Sequence, residues 1–345
     1  MRHAVINSLI VAFSIFGLIS CSSDNNEASN PPANTEAAST GAAAQEEQAA
    51  EDLPTAILVP GSGDYSRPIT TDSSEAQKFF DQGLRLAWGF YFPESIASHQ
   101  RASELDPDHP MPYWGMAQAM GPNPNSRYAR MPDDPKGEGL KAITKARELM
   151  TNGNEYEQDL INSLWVLYDK ETNPDDAQRD QAYLDAARAL HEKYPEDPDV
   201  GALYAAAYMS IGRWDYWDAE GEPKSETEPV AAALDKVLAV TPGHPGANHL
   251  YIHLLEASME PQRALPAADR LEATMPIAGH MVHMPAHIYV RVGQHDKAIS
   301  SNQRSQQADK DFAKIWGDIL LPDLGTYPLS HKMHAPHAID FIRYA

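Results

Sequence analysis

The pair His249 and His253 is repeated as His283 and His287, an echo at an offset of 34 residues. An i,i+4 spacing places both imidazoles of each pair on one face of a helix. An interval of 34 residues is one unit of a helix–turn–helix repeat, in which equivalent helices stack side by side. Pro242 to Pro276 and Ala264 to Ala298 keep the same 34-residue interval. A hairpin of this size cannot bury its apolar faces alone, so a chain with this period must fold as a stack of hairpins.

The register extends to earlier residues. With Ala76 as the first position of a repeat, Gly83, Ser95 and Ala102 fall at positions 8, 20 and 27, and Pro107 at 32. These are the small residues and the closing proline of the tetratricopeptide (TPR) pattern. Pro110 opens another unit with Trp114, Ala117 and Met120 on its first helix, interrupted by the Pro- and Asn-rich stretch 121–135. Helical patterning resumes in GEGLKAITKARELM and EYEQDLINSLWVLYDK. Another unit starts near Pro198, and the 47 residues from Pro195 to Pro242 exceed one repeat by the length of a loop at 213–226. The expected fold is all-α, a TPR-like right-handed solenoid of hairpins over 76–345, preceded by a lead-in at 53–75.

The N-terminal segment has a different character. Arg2 precedes an apolar run from Ala4 to Ile19, too short and too early to count as fold. It ends in Leu18-Ile19-Ser20-Cys21, which resembles the lipobox of bacterial lipoproteins. That resemblance implies a signal peptide at 1–20, cleavage before Cys21 and acylation of Cys21. Ser22 stands where an aspartate would favour the inner membrane, which points to the outer membrane, facing the periplasm. Residues 21–52 are Ala, Ser, Asn, Glu, Gln and Pro without periodicity, and they read as a flexible tether. Cys21 is the only cysteine, so no intramolecular disulfide can form. The net charge of −22 excludes a nucleic-acid footprint, which needs clustered Lys and Arg.

Ten of the 14 histidines lie at or after residue 244, so the enrichment is regional. In the TPR proteins that this pattern resembles, positions 2, 5, 9 and 12 of each first helix face the concave groove. With Pro245 at position 1, His249, His253 and Glu256 take 5, 9 and 12. With Gly279 at position 1, His280, His283 and His287 take 2, 5 and 9. Pro285 either kinks that helix or opens it. A further cluster, His331, His334 and His337, reads as the start of another first helix. Aligning Pro336 with Pro285 puts His331 and His334 in the places of His280 and His283.

Neutral imidazole is a common ligand for zinc, copper and iron, at about 2.0–2.1 Å. The candidate metal ligands are therefore His249, His253, His280, His283 and His287, with His331, His334 and His337 in a secondary rank. Glu256 can be a ligand, an outer partner or a general base. Among the nearby methionines, Met281 is expected in the core and Met284 is the better thioether candidate for copper. Duplication also copies structural residues, so a hydrogen-bonded histidine core or a peptide-binding groove accounts for the same pattern. Both readings stay open at the level of sequence.

Other features carry less. The loop RWDYWD, Arg213 to Asp218, either caps the groove or fastens the insertion to the solenoid. Gly121 to Asn125 reads as a turn or a binding rim. Trp88, Phe90, Tyr91 and Phe92 are expected as hairpin core. No GxSxG, P-loop, dinucleotide fingerprint or zinc-cysteine pattern is present, which leaves hydride transfer and nucleotide hydrolysis without support.

Several phrases resemble one group of bacterial envelope TPR proteins: DQGLRLAWGF, YWGMAQAMGPN, HPGANHLYIHLLEAS, RALPAADRLEATMPIAGHMVHMPAHIYVRVGQHDKAI and PHAIDFIRYA. They spread over residues 80–345. The resemblance implies the solenoid fold and a groove site, not a reaction. Relatives often carry histidine where Phe92 stands, and cysteine at His109 and Pro112. They also continue beyond Ala345, so the chain looks truncated within a first helix. The expected function is an envelope-anchored lipoprotein that binds a transition metal in a His-lined groove, serves as a scaffold for a protein or peptide partner, or does both. The alternatives are a metal-dependent enzyme, hydrolytic or oxidative, using the same histidines, and a metal-free peptide-binding scaffold.

Overall fold

Proline followed by a small or apolar run marks where several helices begin. A ring locked near the helical φ costs nothing at the first turn, where the missing N–H would lack an intrahelical partner anyway. The computed structural model describes residues 54–124, 135–319, 321 and 331–345. Helices α1 (Ser74–Trp88) and α2 (Phe92–Leu105) form the first hairpin. They are followed by α3 (Pro110–Met120) with α4 (Pro135–Glu148), α5 (Glu155–Trp165) with α6 (Asp176–Lys193), and α7 (Pro198–Gly212) with α8 (Thr227–Val240). Next come α9 (Pro245–Leu255) with α10 (Leu265–Thr274), and α11 (Gly279–His283) and α12 (Pro285–Arg291) against α13 (His295–Trp316). Helix α14 (His331–Tyr344) packs on α13. Among the described residues no strand is formed, only one isolated bridge between Trp217 and Pro223. The all-α array of stacked hairpins expected from the 34-residue period is the fold observed.

The signal segment, Cys21 and the tether lie outside the described residues, as do the side chains of His331, Met333 and His334. No described helix is long and apolar enough to cross a membrane.

Small residues sit where helices approach. The ring of His99 on α2 lies between Gly83 of α1 and Gly115 of α3. A Cβ at either glycine would come within 2.7 Å or 2.4 Å of that ring. The Ser95 hydroxyl donates to the Gly83 carbonyl at 2.7 Å. Positions 8 and 20 of the repeat are thus small because a neighbouring helix occupies the space.

Histidines also start two of these helices. His109 and His244 are the N-caps of α3 and α9, where each Nδ1 accepts a backbone N–H, from Met111 at 3.2 Å and Ala247 at 3.0 Å. The other nitrogen then carries the proton and meets an acceptor, the Thr70 hydroxyl for His109 and Asp199 for His244. Both are fully accounted for as structure.

The array curls until its beginning meets its later hairpins. Residues 54–73 form no helix and run along the inside. The Ile277 N–H donates to Gly61 at 3.3 Å, Tyr65 donates to Asp199 at 2.9 Å, and the Thr70 N–H donates to Glu157 at 2.8 Å. Arg85 of α1 fixes the strap by donating to the Ser62 and Tyr65 carbonyls at 2.9 and 2.6 Å. The turn Gly89–Tyr91 between α1 and α2 projects against α9 and α11. An open concave groove was expected at the histidines. Instead the turn between α1 and α2 closes it, with Phe90 buried against the rings of His249, His253 and His280.

Candidate metal centre

Helix α9 presents His249 and His253 one turn apart, and Glu256 follows at its C-cap. The facing element is broken at Pro285. Helix α11 ends at His283, Met284 keeps helical dihedrals, and α12 begins with Pro285. The result is a kink that leaves His280 and His283 on one segment and His287 on the next. The His287 N–H now donates to Met284 at 3.1 Å, a tighter turn than the α-helical pattern. His249, His253, His280 and His283 are 0, 2, 5 and 1% exposed, and His287 is partly buried.

Every imidazole of the two HxxxH pairs is anchored at Nδ1. His249 Nδ1 lies 2.6 Å from the Trp88 carbonyl, which can only accept, so that nitrogen carries the proton. His253 Nδ1 lies 3.2 Å from one oxygen of Glu256, and His287 Nδ1 is hydrogen-bonded to the other. His283 Nδ1 lies 2.6 Å from Asn302 Oδ1. The Asn302 amide nitrogen donates to the Ala298 carbonyl at 2.8 Å, which fixes the direction of that amide. Burial works against charge on Glu256. The His287 imidazole, then the bonds from His253 and His287, outweigh it and hold the carboxyl well below the usual range. Burial likewise pushes His253 toward the neutral form, although Glu256 pulls the other way.

Rings anchored in this way turn their Nε2 atoms inward, as lone pairs where the ring is neutral. His249 Nε2 is 3.0 Å from His253 Nε2 and 3.0 Å from His280 Nε2. His283 Nε2 is 2.9 Å from His287 Nε2. Acceptor facing acceptor at hydrogen-bond distance is repulsive unless a proton or a cation lies between them. His109 and His244 show how a purely structural histidine is satisfied here, and the ladder does not follow that pattern.

The ladder divides into two groups. The ligand atoms of His249, His253 and His280 lie within 4.8 Å of one another, and so do those of His283, His287 and His337. The histidines expected along one groove therefore form two adjacent clusters, with His287 beside His337 and Phe341 of α14. Glu256 touches both, with one oxygen on His253 and the other on His287. Both carboxylate oxygens are thus engaged by imidazole Nδ1 atoms. Met281 and Met284 are both fully buried in the apolar core.

Aromatic rings wall the first cluster. Phe90 lies 4.4, 6.0 and 5.4 Å from the His249, His253 and His280 rings. Trp214 stands edge-on to His253 at 4.7 Å. The inserted loop thus both caps and fastens: Trp214 covers His253, while the Trp217 indole donates to Leu254 at 2.7 Å and Tyr216 is buried beneath. Gly121 caps α3, and Ser210 donates to Pro122 at 3.2 Å, so the described part of that stretch is a packed turn; Asn125 lies outside the described residues. Sequence reasoning assigned Phe90 to the hairpin core and passed over Asn302. A signal for Asn302 existed: Ser301, Asn302, Ser305 and Asp309 interrupt the buried stripe of α13 with polar groups.

A scan against protein-family models and a search of curated proteins both give no match. Solved structures similar to this chain include a thermophilic TPR protein of Thermus thermophilus, at 13% identity over 70% of this chain and 94% of that one, with a TM-score of 0.36. Yeast Tom70 is similar at 16% identity over 79% of this chain and 56% of that one, with a TM-score of 0.36. The TPR2AB domain of yeast Sti1, in a complex with pHSP90, is similar at 12% identity over 78% and 98%, with a TM-score of 0.27.

Proposed function

We propose that His249, His253 and His280 bind a first-row transition-metal ion, copper, zinc or iron, inside a TPR-like protein tethered to a bacterial envelope membrane through Cys21. The supporting observation is the inward convergence of three Nε2 atoms, with the His249 and His253 rings oriented from behind at Nδ1. Two nitrogens 3.0 Å apart, each about 2.1 Å from one ion, subtend about 90° at it, within reach of first-row coordination. A backbone carbonyl and a carboxylate behind the ligating imidazoles are the usual outer partners of metal-bound histidine. The membrane tether rests on the resemblance of Leu18 to Cys21 to a lipobox.

The enclosed position suits holding an ion more than turning over a substrate. Hydrolytic or oxidative chemistry, the enzyme reading, needs a coordination position that a substrate can reach. A peptide partner, the scaffold reading, would dock outside the inner surface already taken by residues 54–73. Elemental analysis of the full chain, purified without a histidine tag and dialysed against Zn(II), Cu(II) or Fe(II), tests the proposal. Bound metal that falls on His249→Ala supports it. A chain that takes up none of the three ions rules it out, and leaves a proton shared between the buried rings as the account of the close nitrogens.

A further inference from the structure

We propose that His283, His287 and His337 form a second transition-metal site beside the first, so that the protein holds a pair of ions linked through Glu256. The inference rests on the metal reading of the first cluster and adds its stoichiometry, its third ligand and its accessible side.

The second cluster repeats the logic of the first with different parts. Its two α11–α12 rings are anchored at Nδ1 by Asn302 and Glu256, and their Nε2 atoms face each other at 2.9 Å. A third imidazole arrives from α14: the His337 ring lies 4.7 Å from that of His283 and 5.8 Å from that of His287. Register alone pointed to His331 and His334. Their side chains lie outside the described residues, and His337, next to the internal Pro336 of α14, reaches the cluster.

The two clusters are neighbours. The His253 and His287 rings are 5.9 Å apart, and the His280 and His283 rings 6.1 Å. Glu256 gives one oxygen to each cluster, so orienting His253 for one ion also holds the carboxylate that orients His287 for the other. Their surroundings differ. The first cluster is sealed by Phe90 and fully buried rings, whereas His337 is exposed and Phe341 lies across the second, 4.5 Å from His287 and 5.0 Å from His337. Three neutral imidazoles leave a position for a donor from solvent or a small substrate. The exchangeable ion, and any substrate, belongs on the α14 side.

The test is metal stoichiometry on the untagged full chain, stripped with a chelator and dialysed against Zn(II). Two equivalents are expected for the wild type and one for His337→Ala, whose exposed position makes the fold insensitive to the change; circular dichroism checks this. The equivalent lost in His337→Ala should also be the one that leaves wild type first on adding EDTA. One equivalent in both chains overturns the second site and leaves the first standing. Two equivalents in both overturn His337 as a ligand. Uptake of no Zn(II), and of no Cu(II) or Fe(II) under the same dialysis, overturns the metal reading altogether.

Discussion

Phe90 and Trp214 close on the ring of His253 from two sides, and both hold a left-handed backbone, with φ of +63° and +77°. Among the described residues the only other non-glycine with positive φ is Arg213, the neighbour of Trp214. Such a conformation costs a bulky residue about 1–2 kcal/mol, and it persists where surrounding structure imposes it. Here it aims aromatic rings at the histidines. Phe90 is buried, and Trp214 is 39% exposed. Phe90→Ala should therefore cost about 3–4 kcal/mol of unfolding free energy as a cavity, and Trp214→Ala about 1 kcal/mol. Urea unfolding of the two variants checks the order. Equal losses would mean that Phe90 is not the wall described.

Glu256→Gln separates an anchor from a bystander. The carboxylate accepts from two Nδ1–H groups at once, whereas an amide offers one oxygen and turns an NH2 toward the other ring. Either His253 or His287 must then change tautomer or rotate, and its Nε2 leaves the cluster. Replacement of an outer partner of this kind lowers metal affinity by about 10–100-fold. Competition with a zinc-binding indicator dye measures the change, and an unaltered affinity would remove Glu256 from the centre.

How far the site could be read from residues alone follows from which contacts are local. His249 and His253 meet because a helix has a fixed pitch, and Pro110, Pro198 and Pro245 mark helix starts because a proline ring costs least in the first turn. Those features were legible. The Trp88 carbonyl that orients His249 is 161 residues away in the chain, and no property of the segment around residue 88 announces it. The filling of the inner surface by residues 54–73 was hidden for the same reason, since the strap has no repeat of its own. His337 was placed in the secondary rank because register analysis transfers positions from one unit to the next. Helix α14 carries its proline inside, and its His337 meets the α11–α12 rings through packing between helices.

Glu94 offers a test that does not involve the histidine clusters. It is 2% exposed, and one of its oxygens has no partner among the described residues. Burial lifts its carboxyl from 4.5 to about 7, against its own backbone N–H and with Asp309 adding to the rise. The folded chain then binds a proton that the unfolded chain has released between those two values. Stability from this group is complete below pH 4.5 and is lost as pH rises through 7. Relative to Glu94→Gln, the wild type should lose roughly 3 kcal/mol between pH 4.5 and 8. Urea midpoints of both chains across that range test it, and parallel curves would place Glu94 in a wetter site than the one described.

His99 works in the opposite direction. Its ring is fully buried between Gly83 and Gly115, with Phe80 at 5.2 Å, and neither nitrogen has a partner among the described residues. Burial alone pushes it from 6.5 down to about 3. Below pH 6.5 the unfolded chain takes up a proton that the folded chain refuses, so stability is present above that value and falls with pH toward 3. The loss is about 2 kcal/mol by pH 5. In the window between pH 4.5 and 6.5 it opposes the Glu94 effect, so the wild-type profile alone isolates neither group. His99→Phe keeps a ring in the slot and removes the titration. The slope of its stability against pH below 6.5 should be shallower than that of the wild type by close to one proton, whatever the repacking does to its absolute stability. Identical slopes would mean that His99 gains a proton in the folded chain, which the described packing does not allow.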